Sequence, residues 1–127
     1  MKQYTESHEW FEAIDGNPGL VKIGISAHAA KELGDVVFVD LPEVNRTFAK
    51  AESMAVIESV KAVGDLWAPF AGTVTQVNEQ LNDEPTLVTS SPEDEGWILL
   101  LQAEQPEDVD NAGMTPDAYQ ALLAKKG

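Results

Sequence analysis

Short runs of strand-forming residues, each closed by glycine, proline or a polar cluster, recur along most of this chain and commit it to building sheets. His8-Glu9-Trp10-Phe11-Glu12-Ala13 alternates polar and apolar side chains, Asp15-Gly16-Asn17-Pro18-Gly19 is dense in turn formers, and Leu20 to Ile25 reads as a second strand. Residues 8 to 25 therefore read as a hairpin, with Trp10 in the core and Glu9, on the other side of a period-two strand, in solvent. Four consecutive apolar residues, Val36 to Val39, predict a strand buried on both faces and closed by Pro42. Met54–Ile57, Leu66–Phe70, Thr73–Val77 and Leu87–Val88 read as further strands, Trp97–Leu101 reads as a buried run with Trp97 in the core, and Gly72 reads as a bulge or tight bend. Helices are few. Ser26 opens one as N-cap and Gly34 ends it, Pro106 to Val109 reads as a helical turn, and Thr115 caps a helix with Tyr119, Leu122 and Leu123 on one face.

Charge narrows the function. The 127 residues carry a formal net charge of −14, and from Ala62 to Ala124 there is no Lys, Arg or His. Such a chain lacks the basic patch that phosphates demand and is repelled by anionic membrane surfaces, so nucleic acid and membrane partners are not expected. A strongly negative face suits a partner with a basic docking surface. Hydrophobic content of 43% is enough for a packed core in one domain. With no cysteine, disulfides and thiolate sites are excluded, and His8 and His28 alone do not make a zinc site without further ligands. The start, Met1 to Glu6, resembles no leader, and no apolar stretch reaches the length of a membrane span, which leads to an expectation of a cytoplasmic protein.

Within this acidic chain Lys61 stands apart. It is the only basic residue between Lys50 and Lys125, and Val60, Ala62 and Val63 surround it. Taken alone, a lysine there reads first as an edge charge that blocks strand association. A nucleophilic lysine would need a catalytic partner, and no His or Cys lies near it in sequence. No Gly, Pro, Asn or Asp marks a turn between Ser59 and Val63, so pattern alone runs the strand through Lys61 and reverses the chain at Gly64-Asp65. A shift of 33 positions sets Leu41 on Val74, Val44 on Val77, Asn45 on Asn78 and Phe48 on Leu81, a weak repeat suggesting two similar strand–loop–strand halves.

Glu58-Ser59-Val60-Lys61-Ala62, followed by Gly64-Asp65 and Ala68-Pro69, resembles the lipoyl-attachment segment of the glycine cleavage system H proteins. The likeness extends to Ser7-His8-Glu9-Trp10, Ile23-Gly24-Ile25-Ser26, Leu33 to Val39, Leu41-Pro42, Gly72, Val77-Asn78 and Glu95-Gly96-Trp97, and departs at Val63-Gly64 and Glu93. It implies a mainly β fold: a flattened β-barrel or sandwich of the lipoyl/biotinyl-domain type, with an N-terminal hairpin, one short helix and a C-terminal helix. Residues 1–127 would form a single carrier domain, with its core at about 20–102 and a helical extension at about 106–126. The resemblance moves Lys61 to a hairpin tip and makes it the attachment site of lipoic acid. Glu58, Ser59, Val60, Ala62 and Gly72 become the recognition residues for a lipoate ligase or octanoyltransferase, and Glu9 a contact in the cleft that shelters the loaded arm.

The role so implied is that of a carrier, not an enzyme. It would take an aminomethyl group from glycine decarboxylase to the aminomethyltransferase and then meet dihydrolipoamide dehydrogenase. Other roles stay open at the level of sequence: an H-like protein that relays lipoyl groups to other apoproteins, a lipoyl domain of a 2-oxo acid dehydrogenase, or a structural module with an unmodified lysine.

Overall fold

A computed structural model of the protein describes residues 2–126; Met1, Gly127 and the side chain of Lys126 lie outside the described residues. Among the described residues, nine strands form two sheets. Strands β1 (Lys2–Tyr4), β2 (Glu9–Ala13), β3 (Leu20–Ile25), β9 (Leu99–Ala103), β8 (Gly72–Val77) and β5 (Thr47–Phe48) lie side by side in that order. Strands β4 (Val36–Asp40), β6 (Ser53–Ser59) and β7 (Val63–Trp67) form the second sheet, and every pairing in both is antiparallel. Neither sheet closes on itself, so the architecture is an open sandwich and not a barrel.

The main core lies between the sheets, with Phe11, Ile23, Ile57, Leu66, Val74, Leu99 and Leu101 fully buried. A second apolar cluster forms on the outer face of β2. There Trp10 and Tyr4 are covered by Tyr119, Leu122 and Leu123 of the C-terminal helix α5 (Pro116–Lys126), which Thr115 caps through its hydroxyl. Strand β2 is therefore covered on both sides. The expected alternation, Trp10 inward and Glu9 outward, is corrected: Glu9 shares the Phe11 face and is only 1% exposed.

Helix α1 (Ala27–Leu33) forms as its caps dictate. The Ser26 hydroxyl accepts from the Ala29 amide, and Gly34 takes φ +76°, a conformation glycine adopts without penalty. Other expectations fail for local reasons. Strand β4 is not buried on both faces, because its register against β6 shifts between Val36 and Phe38. That bulge leaves Val37 and Phe38 both facing outward, 57% and 50% exposed. Leu87–Val88 is not a strand but a helical turn, α3 (Leu87–Ser90), preceded by α2 (Gln80–Asp83). The short α4 (Asp108–Asn111) follows Pro106 as anticipated. Strand β1, unmarked by any apolar run, pairs along β2 and bridges to Met114. The shifted repeat does not yield matching halves, since Phe48 sits in a strand and its counterpart Leu81 in a helix, although both are buried.

Gly72 is not the bulge; the register shift falls later in β8, between Val74 and Gln76. A Cβ on Gly72 would lie 2.5 Å from the Gln102 carbonyl oxygen and 2.9 Å from Leu101 Cγ. Its absent side chain is thus a packing requirement of the β8–β9 pair. Gly72→Ala is expected to destabilise the fold by about 1–3 kcal/mol, the usual cost of overpacking. Chemical denaturation checks this, and an unchanged midpoint would show that β8 and β9 can yield.

Candidate functional site: the Lys61 tip and the Glu9 cleft

The β6–β7 hairpin reverses at Val60-Lys61, not at Gly64-Asp65. The Ser59 amide donates to the Ala62 carbonyl at 2.8 Å. The Ser59 hydroxyl receives the Ala62 amide at 2.9 Å and donates to the Ala62 carbonyl at 3.0 Å. Neither Val60 nor Lys61 needs positive φ, so the turn dispenses with the glycine or asparagine that marks tight hairpins. Serine takes over their task through its side chain. The tip is also tied to its neighbour strand, because the Val60 amide donates to the Asp35 carbonyl at 3.0 Å.

Lys61 is exposed, and its aliphatic stem lies beside Gly34, where a Cβ would come within 3.2 Å of Lys61 Cε. Around it stand exposed apolar side chains, Val60 at 76% and Val63 at 67%. Glu58 sits between Phe38 and Val63 in one row across the sheet, all three exposed. The structure thus brings Glu58, Ser59, Val60, Lys61 and Ala62 together at one end of the three-stranded sheet. Gly72 belongs to the other sheet, where packing explains it.

Glu9 lies at the other end of β7. Its Oε1 accepts from the hydroxyls of Thr5 at 2.5 Å and Ser7 at 2.6 Å, while Oε2 has one long contact, 3.4 Å, from the Trp67 amide. It lines a cleft of about 370 Å³ with Lys50, Trp67 and Pro69. A larger depression of about 570 Å³, at the Asp15–Gly19 turn against Pro106, holds none of these residues. Burial pushes the Glu9 carboxyl above its ordinary range, and the Ser7 and Thr5 hydroxyls pull it back only in part. Among the described residues no cation pairs with Glu9. Sequence reasoning placed Glu9 near the arm but missed Thr5, Lys50 and Trp67; Thr5 and Ser7 hold it only because the chain bends back before β2, where the Thr5 amide donates to the Glu9 carbonyl.

The family model described as glycine cleavage H-protein matches residues 2–126. The chain belongs to that family. It is 49% identical over 120 residues to the glycine cleavage system H protein of Listeria monocytogenes, covering 94% of this chain and 93% of that one. It is 42% identical over 126 residues to the H protein of Thermotoga maritima, covering 99% and 98%. The crystal structure of the H protein from Mycobacterium marinum superposes with a TM-score of 0.84 at 34% identity, over 97% of this chain and 96% of that one. Among the described residues, no helix is long and apolar enough to cross a membrane.

The raised Glu9 carboxyl has a signed consequence. The folded state holds this proton to higher pH than the unfolded chain does, so the contribution to stability is complete below the unfolded value and is lost as pH rises through the folded one. Stability measured across that window should fall with rising pH in the wild type, and the fall should be smaller in Glu9→Gln. Parallel curves for the two proteins would contradict the buried, uncompensated carboxylate.

Proposed function

We propose that this protein is a non-catalytic lipoyl carrier of the glycine cleavage system, with Lys61 as its attachment residue. The observation that carries this reading is the position of Lys61 on an exposed tip clamped by Ser59 and tied to Asp35. An amine that other proteins must acylate and then receive has to stand clear of its own surface on a rigid support. The H-protein family of its relatives supplies the system in which it works.

The residues present suit a lipoyl group: the amine is accessible, Gly34 leaves room for the lysine stem, and a cleft lies within reach. In amide linkage to Lys61, that group supplies the disulfide and dithiol chemistry that takes up and gives up an aminomethyl cargo. Acylation removes the lysine charge, so the tip offers partners an arm that costs little to desolvate. Tethering keeps the cargo at high effective concentration for each partner in turn: glycine decarboxylase, the aminomethyltransferase and dihydrolipoamide dehydrogenase. Glu58, exposed and without a packing role, presents a charge within an apolar row for the lipoate ligase or octanoyltransferase to read. Glu9 offers the protonated amine of the cargo a buried carboxylate that no cation among the described residues pairs with. Strand β7 joins the two places. From Val63 to Trp67 it runs four steps of about 3.3 Å, about 13 Å in all, within reach of a lysine lengthened by a lipoyl chain.

Incubation with a lipoate ligase, followed by peptide mapping, should place one lipoyl group, on Lys61. Lys61→Arg should accept none while holding its stability to within about 0.5 kcal/mol. Glu58→Ala should be lipoylated more slowly with an unchanged melting temperature. Modification at Lys22 or Lys50 would overturn the assignment, and equal rates for Glu58→Ala and wild type would remove Glu58 from recognition.

A further inference from the structure

We propose that His8, His28 and Glu32 form a binding site for a first-row divalent metal ion of the Zn²⁺ type, independent of Lys61. The sequence showed two histidines without a further ligand at suitable spacing. The fold supplies the third. His28 and Glu32 lie one turn apart on α1, with His28 Nε2 3.0 Å from Glu32 Oε1, and His8, just before β2, brings its ring to 4.8 Å from that of His28, centroid to centroid, at 46°. One ligand atom from each residue lies within 4.8 Å of those of the other two. Tetrahedral zinc with bonds of about 2.0–2.2 Å needs its ligand atoms about 3.3–3.5 Å apart. The exposure of His28 and Glu32, 36% and 67% of their side chains, leaves them room to rotate toward that spacing.

Surrounding groups act as the outer contacts of metal sites usually do. His8 Nδ1 lies 2.7 Å from the Tyr119 hydroxyl, and that hydroxyl lies 2.7 Å from Ser26 Oγ, which caps α1. In the tautomer with Nδ1–H donating to Tyr119 and Tyr119 donating to Ser26, Nε2 is the nitrogen His8 would offer a metal. Such a hydrogen bond fixes both tautomer and ring orientation. Tyr119 is itself held, buried and stacked on Tyr4 at 4.6 Å. Glu93 is not a further ligand, because its two oxygens take the Tyr4 hydroxyl and the Ala27 amide. Two imidazoles and one carboxylate favour Zn²⁺, Co²⁺ or Ni²⁺ over Mg²⁺ and Ca²⁺, which take oxygen ligands. Three protein ligands leave a position for water or an outside ligand. The net charge of −14 favours any cation, so specificity has to be shown at these residues.

The test is calorimetric titration of Zn²⁺ into the tag-free, unlipoylated full chain after chelator treatment, with Co²⁺ as a spectroscopic probe. One equivalent is expected, with visible Co²⁺ absorption of a low-coordinate nitrogen and oxygen site. His28→Asn and Glu32→Gln sit on the accessible face of α1 and should keep the metal-free melting temperature. Each should lower Zn²⁺ affinity by about tenfold or more, in line with the sensitivity of metal sites to their supporting groups. A smaller loss in either variant, several weak equivalents, or no saturable binding would overturn the site.

Discussion

The clamp at Ser59 is the contact on which the functional arrangement depends. Three hydrogen bonds between Ser59 and Ala62 close the β6–β7 hairpin without a left-handed residue, and the Val60 amide fixes the result to Asp35. Asp35 is where it is because α1 ends at Gly34, whose positive φ redirects the chain into β4. The end of a helix, the start of an edge strand and the tip of a hairpin thus support one another. Lys61 is presented by backbone geometry and not by its own side-chain contacts, which leaves the amine available to other proteins.

Glu9 depends on a different feature, the double covering of β2. Helix α5 buries Trp10 on one side, so the Phe11 face, which carries Glu9, turns toward the main core. A carboxylate removed from water with hydroxyl donors but no cation is costly to keep ionised. It is correspondingly receptive to a cation entering the cleft. The two ends of β7 thus hold the two parts of the proposed site: the pinned tip at Val63 and the Glu9 cleft beside Trp67.

Local chemistry made much of this legible. Ser26 and Gly34 bounded α1, the Asp15–Gly19 turn set the β2–β3 hairpin, and Thr115 marked the start of α5. What was hidden depended on partners distant in sequence. The outward turn of Val37 and Phe38 arises from a register shift against β6, which an apolar run does not announce. Glu9 is buried by Thr5, Ser7 and the chain at Trp67 while α5 covers the opposite face of β2, and alternation alone cannot report a second covering layer. The tip position was readable only through family likeness, because Ser59 does with a hydroxyl what glycine usually does with φ. Glu32 escaped notice beside the histidines because only the packing of α1 against the chain before β2 gathers them.

The link between tip and cleft is tested most directly by the lifetime of the loaded protein. The lipoylated chain would be loaded with the aminomethyl cargo, separated from its partners, and followed by ammonia release at neutral pH, wild type against Glu9→Gln. An ion pair in a partly desolvated cleft exceeds the 0.2–1 kcal/mol of an exposed pair, and about 1.4 kcal/mol corresponds to a factor of ten. The account predicts release several-fold to about tenfold faster from Glu9→Gln. Equal lifetimes would show that the carboxylate at the base of β7 does not guard the cargo delivered from its tip.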